Sequence, residues 1–117
     1  MSDLEIIKFC AEAMGYRLER YVDQRVCGWR IYIGEELIFN LPDDGGEYGL
    51  MNYNPFHDDA QAMALMIKFR LLVELDPAIM GRRVRVGGSE IEAHIPPEWK
   101  NYAANLRHAI CETVAKM

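Results

Sequence analysis

The chain has 117 residues, 50% of them hydrophobic and 26% charged. That balance excludes a disordered, collagenous or low-complexity polypeptide and fits one globular domain able to bury its own core. Lys and Arg number 13 against 18 Asp and Glu, a formal net charge of −5, which disfavours broad binding to nucleic acid, since that needs a positive face.

Ser2-Asp3-Leu4-Glu5 has capping-box spacing, and Ile6, Ile7, Cys10, Ala13 and Met14 follow at helical intervals. A first helix is therefore predicted over residues 3–14, with Gly15 as a left-handed stop. Tyr16 to Tyr21 alternates like a strand, Asp23-Gln24-Arg25 turns, and Val26 to Ile33 alternates again through Trp29 and Ile31. Gly34-Glu35 suits a type II′ hairpin turn into a third strand, Glu36 to Asn40. Residues 41–54 read as a long loop rich in Pro, Asp, Gly and Asn, either a mobile contact surface or a plain connection.

His57-Asp58-Asp59 opens a second helix, with acids in the first turn where the helix dipole favours them, and with Ala60, Met63, Ala64 and Ile67 as its predicted buried stripe. Leu71 to Leu75 fits either an extension of this helix or a strand, and Asp76-Pro77 ends it. Arg83 to Val86 and Ile91 to Ile95 form a hairpin about Gly87-Gly88. After Pro96-Pro97, a final helix is marked by Ala103, Leu106, Ile110, Val114 and Met117, with Asn101, Asn105, His108 and Glu112 outside. The expected fold is α+β: a single-domain sandwich, residues 1–117, of three helices packed on a mainly antiparallel sheet of five or six short strands.

Three stretches of this layout resemble the phage ABA (α-β-α) sandwich family of small phage and prophage proteins. Leu4–Tyr16, LEIIKFCAEAMGY, is similar to its opening helix ending in Ala-x-Gly-Tyr. Met51–Phe69, MNYNPFHDDAQAMALMIKF, resembles its Asn-Pro-x-x-Asp-Asp-x-x-x-Ala-x-x-Leu segment, and Leu106–Lys116, LRHAICETVAK, its Arg-x-Ala-Ile helix. Tyr53, Ala60-Gln61 and Arg70 depart from the family's Trp, Gly-Asp and helix-ending Gly. The resemblance implies a phage or prophage origin and a strand at residues 71–75. It implies no activity, since the family has no general one.

The three cysteines, Cys10, Cys27 and Cys111, form no CxxC pair, which removes zinc-ribbon and thioredoxin readings and suits a reducing cytosol. Cys10 and Cys111 lie in apolar runs and read as small core residues. The opening Met1-Ser2-Asp3 lacks the basic start of a signal peptide, and no apolar run is long enough for a membrane span. The chain is therefore expected to be cytoplasmic in a bacterial host, without membrane association.

His57, Asp58 and Asp59 are the one cluster of catalytic or metal-ligating residue types. Successive helical residues point about 100° apart, so a metal or acid–base site there needs a distant partner such as His94 or His108. Capping explains the same residues without one. Arg82, Arg83 and Arg85 are the one basic run, suited to an anion or an acidic partner, or to a solvated strand whose charge resists aggregation. Asp43, Asp44, Glu47 and Tyr48 combine acids and an aromatic in the long loop, without the oxygen-ligand spacing of a calcium loop. GxGxxG and Walker A sequences are absent, and no cofactor is indicated. The reading that follows is a non-enzymatic, acidic accessory protein that binds a host or phage protein, in one version inhibiting or modulating a host or defence factor. Its contacts are Asp43, Asp44, Glu47, Tyr48, Arg82, Arg83 and Arg85. A small-ligand or metal site at His57-Asp58-Asp59 is the alternative, and a homodimer is compatible with the open hairpin edges.

Overall fold

The computed structural model describes residues 2–76, 81–86, 91–95 and 102–117. Among them the chain forms α1 (Asp3–Ala13), β1 (Arg17–Val22), β2 (Cys27–Ile33), β3 (Glu36–Pro42), α2 (Asp59–Lys68), β4 (Leu71–Asp76), β5 (Gly81–Val86), β6 (Glu92–Ile95) and α3 (Tyr102–Ala115). The class is α+β with antiparallel strands, as expected. The expected sheet of five or six strands is not formed. The strands divide into two sheets of three, ordered β1-β2-β3 and β4-β5-β6. Short connections pair consecutive strands within each sheet, whereas α2 and its approach separate β3 from β4. Contacts divide the chain at the same place, into compact units Met1–Asn54 and Pro55–Met117.

In the first unit, Ser2 Oγ accepts the Glu5 N–H and caps α1. The helix ends in a Schellman pattern: Gly15 N–H donates to Glu12 O and Tyr16 N–H to Ala11 O, with Gly15 at φ +83°. This turn delivers Tyr16 directly into β1, against which α1 packs. Ile6, Ile7, Cys10 and Ala11 are the buried residues of α1.

Strand register sorts the sheet residues into two faces. Leu18 pairs with Ile31, Ile31 with Phe39 and Trp29 with Leu41 on one. Ile31 and Leu41 are buried there, and Lys8 of α1 lies 4.2 Å from the Trp29 ring centre. Tyr16, Phe39 and Tyr53 extend this core as a ring triangle with centroids 5.3 to 6.2 Å apart. On the second face Arg17 pairs with Tyr32, Tyr21 with Gly28, Arg30 with Asn40 and Tyr32 with Leu37. A register shift at Ile31/Tyr32 leaves Ile38 as an extra residue on β3.

Gly28 is fixed by close approach. A Cβ there would lie 2.6 Å from both Leu41 O and Pro42 Cα, and 3.0 Å from the Tyr21 hydroxyl. The end of β3 therefore sits in space that only glycine leaves open. At the β2–β3 turn Gly34 has φ +65°, and Glu35 has no positive φ, in keeping with the type II′ expectation.

In the second unit, Asp58 caps α2 by accepting the Gln61 N–H at 2.9 Å. The buried stripe expected for α2 is reversed. Gln61, Ala62 and Leu65 are buried, while Met63 is 50% and Ile67 69% exposed. The sequence offers a second apolar row, Ala62, Leu65, Met66 and Phe69, on the opposite side. That row packs toward α3 and β4, and Arg107 of α3 joins the start of the helix, donating from Nε to Phe56 O at 2.7 Å and from NH1 to Asp59 at 2.6 Å. Leu71 begins β4, so the strand reading of residues 71–75 holds and the longer helix does not. The final helix also differs in detail. Ala109, Ile110, Cys111, Thr113 and Val114 are buried, whereas Ala103 and Met117 are exposed and Glu112 is half-buried. Thr113 Oγ1 lies 2.7 Å from Ala109 O and 3.3 Å from Val84 O, which satisfies its hydroxyl inside this core. α3 packs on β5, β6 and α2. Cys10 and Cys111 are buried and Cys27 is half-buried. Residues 87–90, where the β5–β6 turn was expected, lie outside the described residues, as does Trp99.

Two substitutions test this account by urea unfolding. Gly28→Ala forces backbone against backbone and should destabilise the chain by about 1–3 kcal/mol; an unchanged midpoint would contradict the close approach. Arg70, exposed after α2, has φ +51°, where a side chain costs about 1–2 kcal/mol and glycine almost none. Arg70→Gly should therefore stabilise by roughly 1 kcal/mol, less the entropy glycine adds to the unfolded chain. A loss of stability would mean that Arg70 is held by something stronger than its backbone strain.

Candidate functional site

The second face of β1-β2-β3 carries a cleft of about 280 Å³. Tyr21 from β1, Asp23 and Val26 from the β1–β2 turn, Arg30 from β2, Leu37 and Asn40 from β3, and Tyr48 and Leu50 from the following loop line it, so the lining holds a carboxylate as well as a guanidinium. Strand alternation points Tyr21, Arg30 and Asn40 to this one face, and the bulge at Ile38 returns Leu37 to it. Tyr21 donates its hydroxyl proton to Asn40 Oδ1 at 3.0 Å. The Arg30 guanidinium lies 5.0 Å from the Tyr21 ring centre, and that of Arg17 lies 4.3 Å from Tyr32.

The loop that completes the cleft is held by identifiable bonds. β3 runs to Pro42, two residues beyond the expected Asn40, and Asp43 N–H still donates to Cys27 O at 2.9 Å. Gly45 N–H then closes a turn onto Pro42 O. Asp44 accepts from Gly46 N–H at 2.8 Å and from the Tyr48 hydroxyl. Asn52 Nδ2 donates to Gly46 O at 2.9 Å. The return leg then runs along the outer edge of β3. Asn40 N–H donates to Met51 O at 2.9 Å and Tyr53 N–H to Asn40 O at 2.8 Å, a parallel bridge between Asn40 and Asn52. Tyr53 is thereby carried into the core, where it is 2% exposed.

Both aspartates of the loop are bonded within the unit. Arg20 grips Asp43 with two bonds, 2.8 Å to Oδ1 and 2.7 Å to Oδ2. That guanidinium holds the Asp43 carboxyl below its ordinary range, and Asp43 in turn raises Arg20. The Tyr48 hydroxyl, then the Gly46 N–H, lower Asp44, while Asp44 raises the Tyr48 phenol.

Of the residues singled out in the sequence, Asp43, Asp44 and Tyr48 thus come together, and Tyr48 enters the cleft. Asp43 and Asp44 spend their oxygens on Arg20, Tyr48 and Gly46, and Glu47 is exposed. Arg82, Arg83 and Arg85 lie on β5 in the other unit, where register sets Arg83 opposite Glu74 and His94, and Arg85 opposite Glu92. Their side chains are outside the described residues. Of the alternative site, His57 is exposed, Asp58 is the α2 cap and Asp59 binds Arg107. His108 meets Glu112 at 3.1 Å and the Phe56 ring at 4.9 Å. Among the described residues no group of three or more His, Cys, Asp or Glu is arranged to hold a metal ion, and no helix is long and apolar enough to cross a membrane.

Tyr21, Arg30, Leu37 and Leu50 were not singled out in the sequence. Their only signal was the parity of Arg17, Glu19 and Tyr21 in β1 and of Arg30 and Tyr32 in β2, which puts polar and aromatic residues on one face. No family model, curated protein or solved structure matches the chain.

The paired carboxyls give a pH prediction. Each titrates lower in the folded chain than in the unfolded one, so its contribution is complete above the unfolded value of about 3.9 and is lost as pH falls through the folded value. Tyr48 ring resonances should hold steady from pH 7 down to about 4 and move only below that, and Asp44→Asn should abolish the transition. A Tyr48 transition above the ordinary carboxylate range would contradict the Asp44 hydrogen bond.

Proposed function

We propose that this chain is a small acidic accessory protein, encoded by a phage or prophage, that acts in the bacterial cytoplasm by binding a protein rather than by catalysis. The observation that carries the binding reading is the cleft on the second face of β1-β2-β3. Tyr21, Tyr48 and Arg30 are residue types enriched where partners bind tightly, and Leu37 and Leu50 add apolar surface beside them. Internal bonds hold the loop in shape, which lowers the ordering cost of association. The partner this lining suits is a protein segment with an apolar side chain for Leu37, Tyr48 and Leu50 and a carboxylate for Arg30.

Support for a phage or prophage origin comes from the likeness of Leu4–Tyr16, Met51–Phe69 and Leu106–Lys116 to the ABA sandwich pattern. In that setting the bound protein is a host or phage factor, and occupation of its surface inhibits or modulates it. The acidic loop contributes through its shape. Its two aspartates, although exposed, are bonded within the unit to Arg20, Gly46 and Tyr48, and Glu47 is exposed beside them.

Affinity capture from a lysate of the encoding bacterium tests this reading. Wild type should retain a stoichiometric protein that both Arg30→Glu and Leu50→Asp lose, with the circular dichroism of both variants unchanged. Retention of the same protein by both variants would remove the cleft as the binding surface. Failure of wild type to retain any protein would remove the function.

A further inference from the structure

We infer that β1 is a self-association edge, along which a second copy of this chain pairs its own β1 antiparallel about a two-fold axis at Arg20, joining two three-stranded sheets into one. The sheet of the first unit has two edges, and one is closed. Residues 51–53 bond to β3 at Asn40, whereas among the described residues β1 pairs with β2 alone. Register shows which backbone groups of β1 are left over. Asp23 N–H donates to Val26 O, so Val22 and Cys27 form a non-hydrogen-bonded pair. By alternation so do Arg20 with Trp29 and Leu18 with Ile31. The N–H and C=O of Leu18, Arg20 and Val22 therefore point away from β2, along the open side. Such a row is a template for a further strand unless proline, a bulge or charge blunts it. β1 holds no proline, and its pairing with β2 has no register shift. Its charges are engaged within the unit: Arg17 bonds Glu19, and Arg20 reaches past the Trp29 ring to Asp43. Val22 is left 75% exposed on this edge.

The edge is complementary to itself in one register. Opposed residues of an antiparallel pair share a face, and outward groups must meet outward groups, so the two-fold axis passes through a residue rather than between two. Centred on Arg20, Leu18 lies opposite Val22 and Val22 opposite Leu18, apolar against apolar on the face toward α1. On the other face Glu19 lies opposite Tyr21, and Arg17 opposite the exposed Asp23. Arg20 falls opposite its own copy, but each guanidinium is drawn across its own sheet by the two bonds to Asp43. Centred on Glu19, the pairing would set Glu19 against Glu19. Centred on Tyr21, it would set Glu19 against Asp23. Both put acid directly opposite acid, which is destabilising. Charge therefore selects the Arg20 register, and a contact that pairs position i with j and j with i is what a two-fold dimer requires. One six-residue strand per copy is a small contact, so the dimer should dissociate on dilution.

Sedimentation equilibrium over a dilution series tests the inference. The weight-average mass of wild type should rise from 13.5 kDa toward twice that value with concentration. Val22→Pro removes an outward N–H and no bond to β2, and Val22→Lys sets a charge opposite Leu18. Each should weaken association by about tenfold or more, with unchanged circular dichroism, while Leu50→Asp, in the cleft beside β3, leaves it intact. The register has its own readout. Cys27→Ser first removes the thiol opposite residue 22. In that background, mixed Leu18→Cys and Val22→Cys chains should form an interchain disulfide under oxidised glutathione, because opposed residues in a hydrogen-bonded pair stand about 5.5 Å apart at Cα. Neither variant should do so alone. A monomer at every concentration would overturn the inference. So would a dimer that survives both Val22 variants, or cross-linking by either cysteine variant alone as fast as by the mixture.

Discussion

Asn40 ties the first unit together. It lies on the last strand of the sheet and is buried, so each of its polar groups needs a partner. Its N–H takes Met51 O, its C=O takes the Tyr53 N–H, and its side-chain oxygen takes the Tyr21 hydroxyl. The two backbone bonds convert the outer edge of β3 from an open template into a paired one. The third ties β3 to β1 across β2. Because the chain leaves β3 at Pro42 and returns to Asn40 by residue 51, everything between is a closed excursion with fixed ends. The Asp43–Arg20 pair, the Asp44–Tyr48 bond and the Asn52–Gly46 bond then give that excursion one shape. The cleft follows as the space between the shaped loop and the polar face of the sheet.

The two faces of that sheet divide the labour of the sequence. The face toward α1 carries Ile31, Phe39 and Leu41, and the Tyr16–Phe39–Tyr53 triangle extends it. The other carries tyrosines and arginines that stack in pairs. Such pairs keep aromatic rings presentable in water, because a guanidinium covers one side of the ring while the other side stays available. Gly28 is the meeting point of both requirements, since the Tyr21 hydroxyl, Leu41 O and Pro42 all crowd the place where its Cβ would stand.

Local signals were legible in the sequence and long-range choices were not. The Ser2 cap, the Gly15 stop, the Gly34 turn and the strands other than β4 follow from capping, backbone freedom and alternation, which act within a few residues, whereas periodicity leaves residues 71–75 open between helix and strand. The phase of α2 does not. Its helix is apolar on two sides, and the buried side is the one that packs toward α3, far along the chain, whose Arg107 bonds Asp59 and Phe56 across 48 and 51 residues. The division into two sheets was equally hidden, because alternation marks a strand without naming its neighbours. For the site, the sequence marks the loop through Asp43, Asp44, Glu47 and Tyr48, whose acids are exposed, but not the bonds that hold them. Arg20 and Tyr48 reach those acids through the fold, and Arg30 and Leu37 join them only once register is set. Arg70 shows a local constraint that its own residue type does not announce: it follows α2 at φ +51°, the left-handed region that glycine enters without strain.

The account stands on the return leg being part of the sheet edge rather than a loop that visits it. Amide hydrogen exchange measured residue by residue addresses this directly. The Asn40 and Tyr53 amides should exchange as slowly as the β2–β3 ladder amides, because opening them requires stripping the edge and pulling Tyr53 out of the core. If they exchange as fast as the exposed Glu47 amide, while the β2–β3 ladder stays protected, the loop is not pinned and the preformed cleft does not exist.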